Sequence, residues 1–276
     1  MRPMVLDGPM GTELAARGVA TPVPIWSAAA LETAPDVVAA IHRDYAAAGA
    51  TVHTANTFRT KRRQLGERWE ALARRAVRIA REAVPRGHRV AGSVAPLEDC
   101  YRPDLSPPLE IARPEHRELA RTLADAGVDL ILCETFPSPV EALVAVEEAV
   151  ATGLETWLAL TAGPEGDLLE PAEIERTARE AALRGAAIVL VDCVALGRID
   201  RFVEALARSG VAFGAYANAG AADDRVGWRS PPPPGGPELY AEAALRWVAL
   251  GATVVGGCCG TGPEHIAAIV RRLRSR

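Results

Sequence analysis

Short apolar runs rich in Val, Ile, Leu and Thr recur along the chain, each followed by a stretch whose apolar positions return every three or four residues among Glu, Arg and Ala. An apolar run without alternation is a strand buried on both faces, and the helical period after it is a crossover packed on one side. Eight such pairs predict strands at 4–7, 51–57, 89–94, 130–135, 156–161, 188–193, 213–217 and 253–257. The intervening helices are expected near 35–48, 67–84, 115–126, 139–151, 172–184, 199–208, 238–249 and 264–273. Pro35, Pro114, Pro171 and Pro263 stand where a helix begins and the first turn has no use for an N–H. Gly49, Gly127, Gly185, Gly210 and Gly251 stand where the left-handed cap closes a helix. The pattern predicts an α/β chain folded as a single (β/α)8 TIM barrel over residues 1–276, with an open doubly wound sheet as the alternative. Two stretches break the repeat, 96–108 and 225–237 with its prolines at 231–234; both are strand-to-helix loops, which lie on the catalytic face of such a barrel. The repeat resumes in phase after each, so neither is a domain linker.

Length and composition narrow the function. The 276 residues match one barrel, and 31 basic residues against 35 acidic ones, a net charge of −4, form no stripe that could track phosphates. Nucleic acid is excluded as a partner on that ground. No apolar run approaches the ~20 residues of a membrane span, and the first strand begins too early to leave room for a signal peptide, so a cytoplasmic protein is expected. Five cysteines, an odd number in a chain of this size, point to metal or catalytic use rather than a disulfide framework.

Cys193 ends the sixth expected strand, while Cys258 and Cys259 end the eighth. In a barrel these ends share one rim, so three thiols can meet at a point. Neighbouring strand residues face opposite ways, and Gly256, Gly257 and Gly260 offer the backbone freedom for both adjacent cysteines to turn to one ion. Three thiolates suit Zn²⁺ and leave a fourth position for substrate, as in catalytic sites. Such a centre carries a formal charge of −1 and can deprotonate a substrate thiol whose free pKa is about 8.5, leaving its sulfur nucleophilic. No Cys-x2-Cys pair supports a zinc finger. The competing reading makes Cys258 and Cys259 small apolar residues at a tight strand end.

The motifs Leu6-Asp-Gly-Pro-Met-Gly-Thr-Glu-Leu, Trp26-Ser, Ala55-Asn-Thr-Phe, Gly92-Ser-Val, Glu134-Thr-Phe, Cys193, Asn218-Ala-Gly and Gly256-Gly-Cys-Cys-Gly-Thr-Gly-Pro-Glu-His-Ile occur in this order. Together they resemble the homocysteine S-methyltransferases, a family that includes betaine and S-methylmethionine enzymes and the homocysteine module of cobalamin-dependent methionine synthase. The resemblance implies zinc held by Cys193, Cys258 and Cys259 with the homocysteine sulfur as fourth ligand. It also implies Glu134, helped by Asp7, for the substrate ammonium, and backbone amides near Gly8 and Thr57 for its carboxylate. Asn218 corresponds to the asparagine of a family turn near the metal, either a resting ligand or a shaper of the turn. Ala217 replaces the family's proline, Asp192 its asparagine and Pro96-Leu its Gly-Pro. The expected activity is methyl transfer to homocysteine, giving methionine, with S-methylmethionine the first choice of donor. A betaine-type donor, a methyl-corrinoid partner protein and a non-catalytic zinc-bearing subunit are the alternatives.

Other candidates receive plainer roles. His265 is expected to cap its helix or lie at the surface, His53 to sit in the barrel core, and His42, His88 and His116 to face solvent on helices or loops. Cys133 reads as a packed strand residue and Cys100 as a loop thiol. Gly260-Thr-Gly could bind phosphate at a helix N-terminus. Lys61, the only lysine, is the one candidate for a Schiff base. Arg59 stands where the betaine enzymes carry an aromatic, and would repel a cationic donor if it faced inward.

Overall fold

The β-rich runs become eight parallel strands of one sheet: β1 (Met4–Val5), β2 (Val52–Thr54), β3 (Arg89–Val94), β4 (Leu130–Phe136), β5 (Glu155–Leu160), β6 (Ile188–Ala195), β7 (Phe213–Asn218) and β8 (Val254–Val255). In this computed structural model, residues 2–219, 222–223, 227–228 and 236–275 are described. The strand order is β1-β8-β7-β6-β5-β4-β3-β2. The ends meet where Leu6 bridges Val52, with Thr51 N–H donating to Val5 O at 2.8 Å and Asp7 N–H to Val52 O at 3.0 Å. The sheet is thereby closed into a (β/α)8 barrel, and the open-sheet alternative falls.

Around it run α1 (Pro35–Ala48), α2 (Trp69–Ala83), α3 (Leu109–Asp125), α4 (Pro139–Val150), α5 (Pro171–Leu183), α6 (Asp200–Ser209), α7 (Gly236–Ala249) and α8 (Pro263–Arg274). Pro35, Pro171 and Pro263 open their helices as expected, and all five capping glycines have positive φ. Pro114 does not: α3 starts five residues earlier, after the extended Pro108, and carries Pro114 inside it. The missing N–H forgoes a bond to Glu110 O, but Pro114 lies on the exposed face, where the helix can bend away from the ring. Short helices at Met10–Ala16, Ala30–Thr33 and Arg62–Leu65 lie outside the eight-unit pattern. Of the irregular stretches, 96–108 holds a 3-10 turn at Pro103–Leu105. The other falls mostly outside the described residues, except that Gly227–Trp228 pairs antiparallel with Ala222–Asp223. Among the described residues, no helix is long and apolar enough to cross a membrane.

Side-chain alternation sorts the strand residues into two cores. Leu6, Val52, Ala91, Leu130, Leu132, Trp157, Ala159, Leu190 and Val254 fill the barrel interior. Val5, Val90, Ile131, Leu158, Val191, Ala215 and Val255 point outward under the helices. His53 is fully buried, as expected. His42 and His116, expected at the surface, are also fully buried. Each shares a helical face with apolar neighbours, Val38, Ile41 and Tyr45 for His42 and Ala112, Leu119 and Ala120 for His116, so its i, i+3, i+4 position overrides its polarity. His116 is compensated by Glu141 at 3.2 Å. His88 is a half-buried loop residue whose ring stacks on His53.

Candidate active site

Strict alternation along β6 would turn Asp192 into the barrel and Cys193 out. Instead the register shifts between Asp192 and Ala195, and Cys193 takes φ 52°, so both side chains turn toward the mouth. β4 does the same between Cys133 and Phe136, with Thr135 at φ 63°. Left-handed backbone is costly for a β-branched residue and persists only where the surroundings enforce it. Here Thr135 Oγ1 donates to Asp192 Oδ2 at 2.6 Å, locking the two bulges together. Asp192 is fully buried, and burial pushes its pKa well above the carboxylate range, with Glu134 adding to the rise. It stands beside Cys193, at the position of the family's asparagine, with its charged form disfavoured by burial.

Cys258 and Cys259 sit in the turn that leaves β8. Cys258 N–H donates to Ala217 O at 3.0 Å, Ala219 N–H to Cys259 O at 2.9 Å, and Thr261 Oγ1 to Cys258 O at 2.8 Å. Tyr240 Oη bonds both Ala217 O and Gly256 O, stapling the ends of β7 and β8. Only Gly260 of the three glycines has a positive φ. Gly256 and Gly257 serve close approach instead: a Cβ on Gly257 would lie 2.2 Å from Thr261 Oγ1, and one on Gly256 2.7 Å from Leu6 Cβ.

The three Sγ atoms lie within 4.8 Å of one another, with Cys193 and Cys258 only 2.6 Å apart, and all five cysteines are free thiols. A tetrahedral Zn–S centre with bonds of about 2.3 Å separates its sulfurs by about 3.8 Å, inside that range. The thiol pKa values are raised well above the usual range, by hydrogen bonding to Cys258 for Cys193, by burial for Cys258, and by hydrogen bonding to Cys193 for Cys259. Asn218 is fully buried at the end of β7, with neither amide atom bonded. Soft donors crowded together beside an orphaned amide fit a thiophilic cation.

Glu134 projects inward at the end of β4, receiving hydrogen bonds from Ser93 Oγ and from Tyr216 Oη at 3.4 Å. Burial raises its pKa to about 7 against those bonds. Asp7 accepts Thr54 N–H at 2.9 Å, and burial raises its pKa well above the usual range, with Glu134 adding. Both carboxylates line one cavity, so a cation placed between them relieves their burial and their mutual repulsion. His53 Nδ1 lies 4.0 Å from Asp7 Oδ2, but burial drives its pKa down to about 3, so the pair is not ionic at neutral pH.

A cavity of about 810 Å³ at the mouth exposes Asp7, Gly8, Glu134, Cys193, Cys258 and Cys259 together. Gly8 belongs there because a Cβ would stand 2.5 Å from Tyr45 Oη. Thr57 and Asn218 do not line the cavity. Thr57 N–H is turned onto Ala55 O at 2.6 Å and its hydroxyl is paired with the Ser93 backbone, so it braces the wall behind Ser93. Ser93, Tyr216, Thr135 and Asp192 went unassigned in the sequence; the inward parity of Ser93 and Tyr216 was the available signal.

The other candidates are disposed of by the same geometry. His265 caps α8, its Nδ1 accepting Gly262 N–H at 3.0 Å, and is buried, not superficial. The amides of Gly260, Thr261 and Gly262 donate to Thr12 Oγ1, Cys258 O and His265, leaving none for a phosphate. Burial lowers the pKa of Lys61 to about 7, as a Schiff base would need, but its amine donates to Pro96 O and it does not line the cavity, so it has no access to a substrate carbonyl. Cys133 is packed, as expected, whereas the loop thiol Cys100 lines the cavity, its pKa raised by burial to about 12.

Residues 4–273 match the homocysteine S-methyltransferase family. The chain belongs to that family. The homocysteine S-methyltransferase of Escherichia coli is 30% identical over 98% of this chain and 94% of its own length. The crystal structure of the homocysteine methyltransferase MmuM from Escherichia coli, in its metallated form, superposes with a TM-score of 0.82 and 27% identity, covering 99% of this chain and 96% of that one. A selenocysteine Se-methyltransferase of Brassica oleracea is 28% identical over 99% of this chain and 89% of its own length. As a homocysteine S-methyltransferase, the chain is an enzyme, which removes the non-catalytic subunit from consideration.

Proposed function

We propose that this homocysteine S-methyltransferase is zinc-dependent, takes its methyl group from S-methylmethionine, and uses the whole of residues 1–276 as one catalytic domain. The observation that carries the reading is the convergence of three buried thiols, the buried Asp7 and the half-buried Glu134 on one cavity. Zinc bound by Cys193, Cys258 and Cys259 would supply the charge that holds the homocysteine sulfur as a nucleophilic thiolate. Glu134 and Asp7 grip the ammonium, and the Gly8 backbone, free of any side chain, takes the carboxylate. Asn218, its amide oxygen unpartnered, either holds the metal until substrate arrives or shapes the turn beside the thiols.

Held this way, the acceptor sulfur attacks the sulfonium methyl in line; the S–CH₃ bond of the donor breaks, its electron pair returns to the donor sulfur, and the new S–CH₃ bond completes methionine. The donor also leaves as methionine. The cavity accommodates two small amino acids but is walled by the barrel, which favours a small donor over a corrinoid protein. Elemental analysis of protein purified under reducing conditions should find about one zinc per chain and a clear loss in Cys258→Ser. Homocysteine with S-methylmethionine should then yield two methionines per turnover. Fully reduced, folded wild type without zinc sinks the metal assignment, and turnover only with betaine or a methyl-corrinoid protein sinks the donor.

A further inference from the structure

Once homocysteine is placed, a second part of the cavity has no assigned ligand. The same cavity is lined by Arg59, Phe58, Trp26, Cys100 and Tyr101, together with the acidic residues Glu98, Asp99, Glu165 and Asp167. Arg59 is the only basic residue among the described ones that line the cavity. Its guanidinium lies over the Phe58 ring at 5.3 Å, and Phe58 is held edge-on by Trp26 at 6.0 Å. The Arg59 Nε is buried without a hydrogen-bond partner, and the group forms no ion pair with a described residue. It perturbs both Cys100 and Lys61, while Cys100 and Tyr101 are electrostatic neighbours of the thiol cluster. Arg59 therefore stands on the loop after β2, on the wall that leads past Cys100 to the thiols.

A fixed guanidinium is a poor neighbour for a bare onium ion and a good one for a carboxylate, which it binds through two parallel N–H donors. The Phe58 face is taken by Arg59 and Lys61, and the remaining aromatics of the lining, Trp26 and Tyr101, suit a sulfonium. We propose that Arg59 anchors the carboxylate of the methyl donor, so that the site selects a sulfonium amino acid over an onium ion with no carboxylate. The inference rests on the small-donor reading above and adds the residue that reads the donor's carboxylate. The inward position that would make Arg59 repel a cationic donor then becomes the reason the donor must carry an anion at a fixed distance from its methyl.

The test compares S-methylmethionine with its carboxamide, which keeps the sulfonium and ammonium and removes the negative charge. Zinc-loaded wild type, Arg59→Ala and Arg59→Lys are titrated with each by calorimetry, and KM for homocysteine is measured in parallel. Wild type should bind the carboxylate about ten- to hundred-fold more tightly than the carboxamide, the discrimination of a lost charge-assisted contact. Arg59→Ala should bind the two alike, Arg59→Lys should recover part of the difference, and homocysteine KM should stay within about two-fold. Equal binding of both ligands to wild type, equal weakening of both by Arg59→Ala, a shift confined to homocysteine, or no binding of either would each overturn the proposal. Discrimination without methyl transfer would instead remove S-methylmethionine as donor while the carboxylate contact stands.

Discussion

At the scale of single residues, the site is built from groups held in unfavourable states. Glu134 is a half-buried carboxylate whose pKa is raised to about 7 because desolvation outweighs the bonds from Ser93 and Tyr216. A raised acid pKa favours the native state below the unfolded value and costs stability as pH climbs through the native one. The wild type therefore loses on the order of 3 kcal/mol between about pH 4.5 and 7 through this group alone. Glu134→Gln should raise the thermal midpoint at about pH 8, with the gain vanishing near pH 4, while its KM for homocysteine rises by at least ten-fold. A midpoint unchanged across that range would show that the carboxylate is not strained. For the wild type, the proposed ammonium contact of ionised Glu134 predicts that homocysteine KM increases as pH falls below about 7.

At the scale of elements, the eight strands and their helices were legible because a doubly buried strand and a one-sided helix leave different periods in the chain. What periodicity could not reveal were its interruptions. Thr135 and Cys193 turn inward through bulges, and nothing in the alternation of Leu130 to Cys133 or Ile188 to Val191 announces the shift. The three clustered cysteines are legible through their chemistry and motif, not through the geometry that aims them. Thr57, assigned by resemblance to substrate, braces the neighbouring strand, since its hydroxyl finds the Ser93 backbone before the cavity. His42 and His116 were misplaced for the opposite reason, polarity having been weighed above helical position. Two substitutions test these elements. Gly257→Ala puts a Cβ against Thr261 in the Cys-Cys turn, and should cost roughly 1–3 kcal/mol and most of the bound zinc. Pro114→Ala restores a main-chain bond on the exposed face of α3 and should stabilise by about 1–3 kcal/mol with activity unchanged, read by chemical denaturation.

At the scale of the whole molecule, the barrel closes through the few bonds that join Leu6 and its neighbours to β2, and the segments leaving that seam carry Asp7, Gly8 and the wall around Arg59. The seam and the mouth are thus one mechanical unit. Lys61 lies just behind that wall, 3% exposed, and is the sole lysine among 31 basic residues. The described surface consequently presents no exposed lysine to an amine-acylating reagent. A single amine, lowered to a pKa of about 7 by its burial, becomes an internal clock for breathing of the barrel mouth. Under a mild acetylating pulse, the native enzyme should gain label at Lys61 only at the rate at which the wall opens. Labelling as fast as that of the unfolded chain would mean that the wall behind Arg59 parts freely in solution.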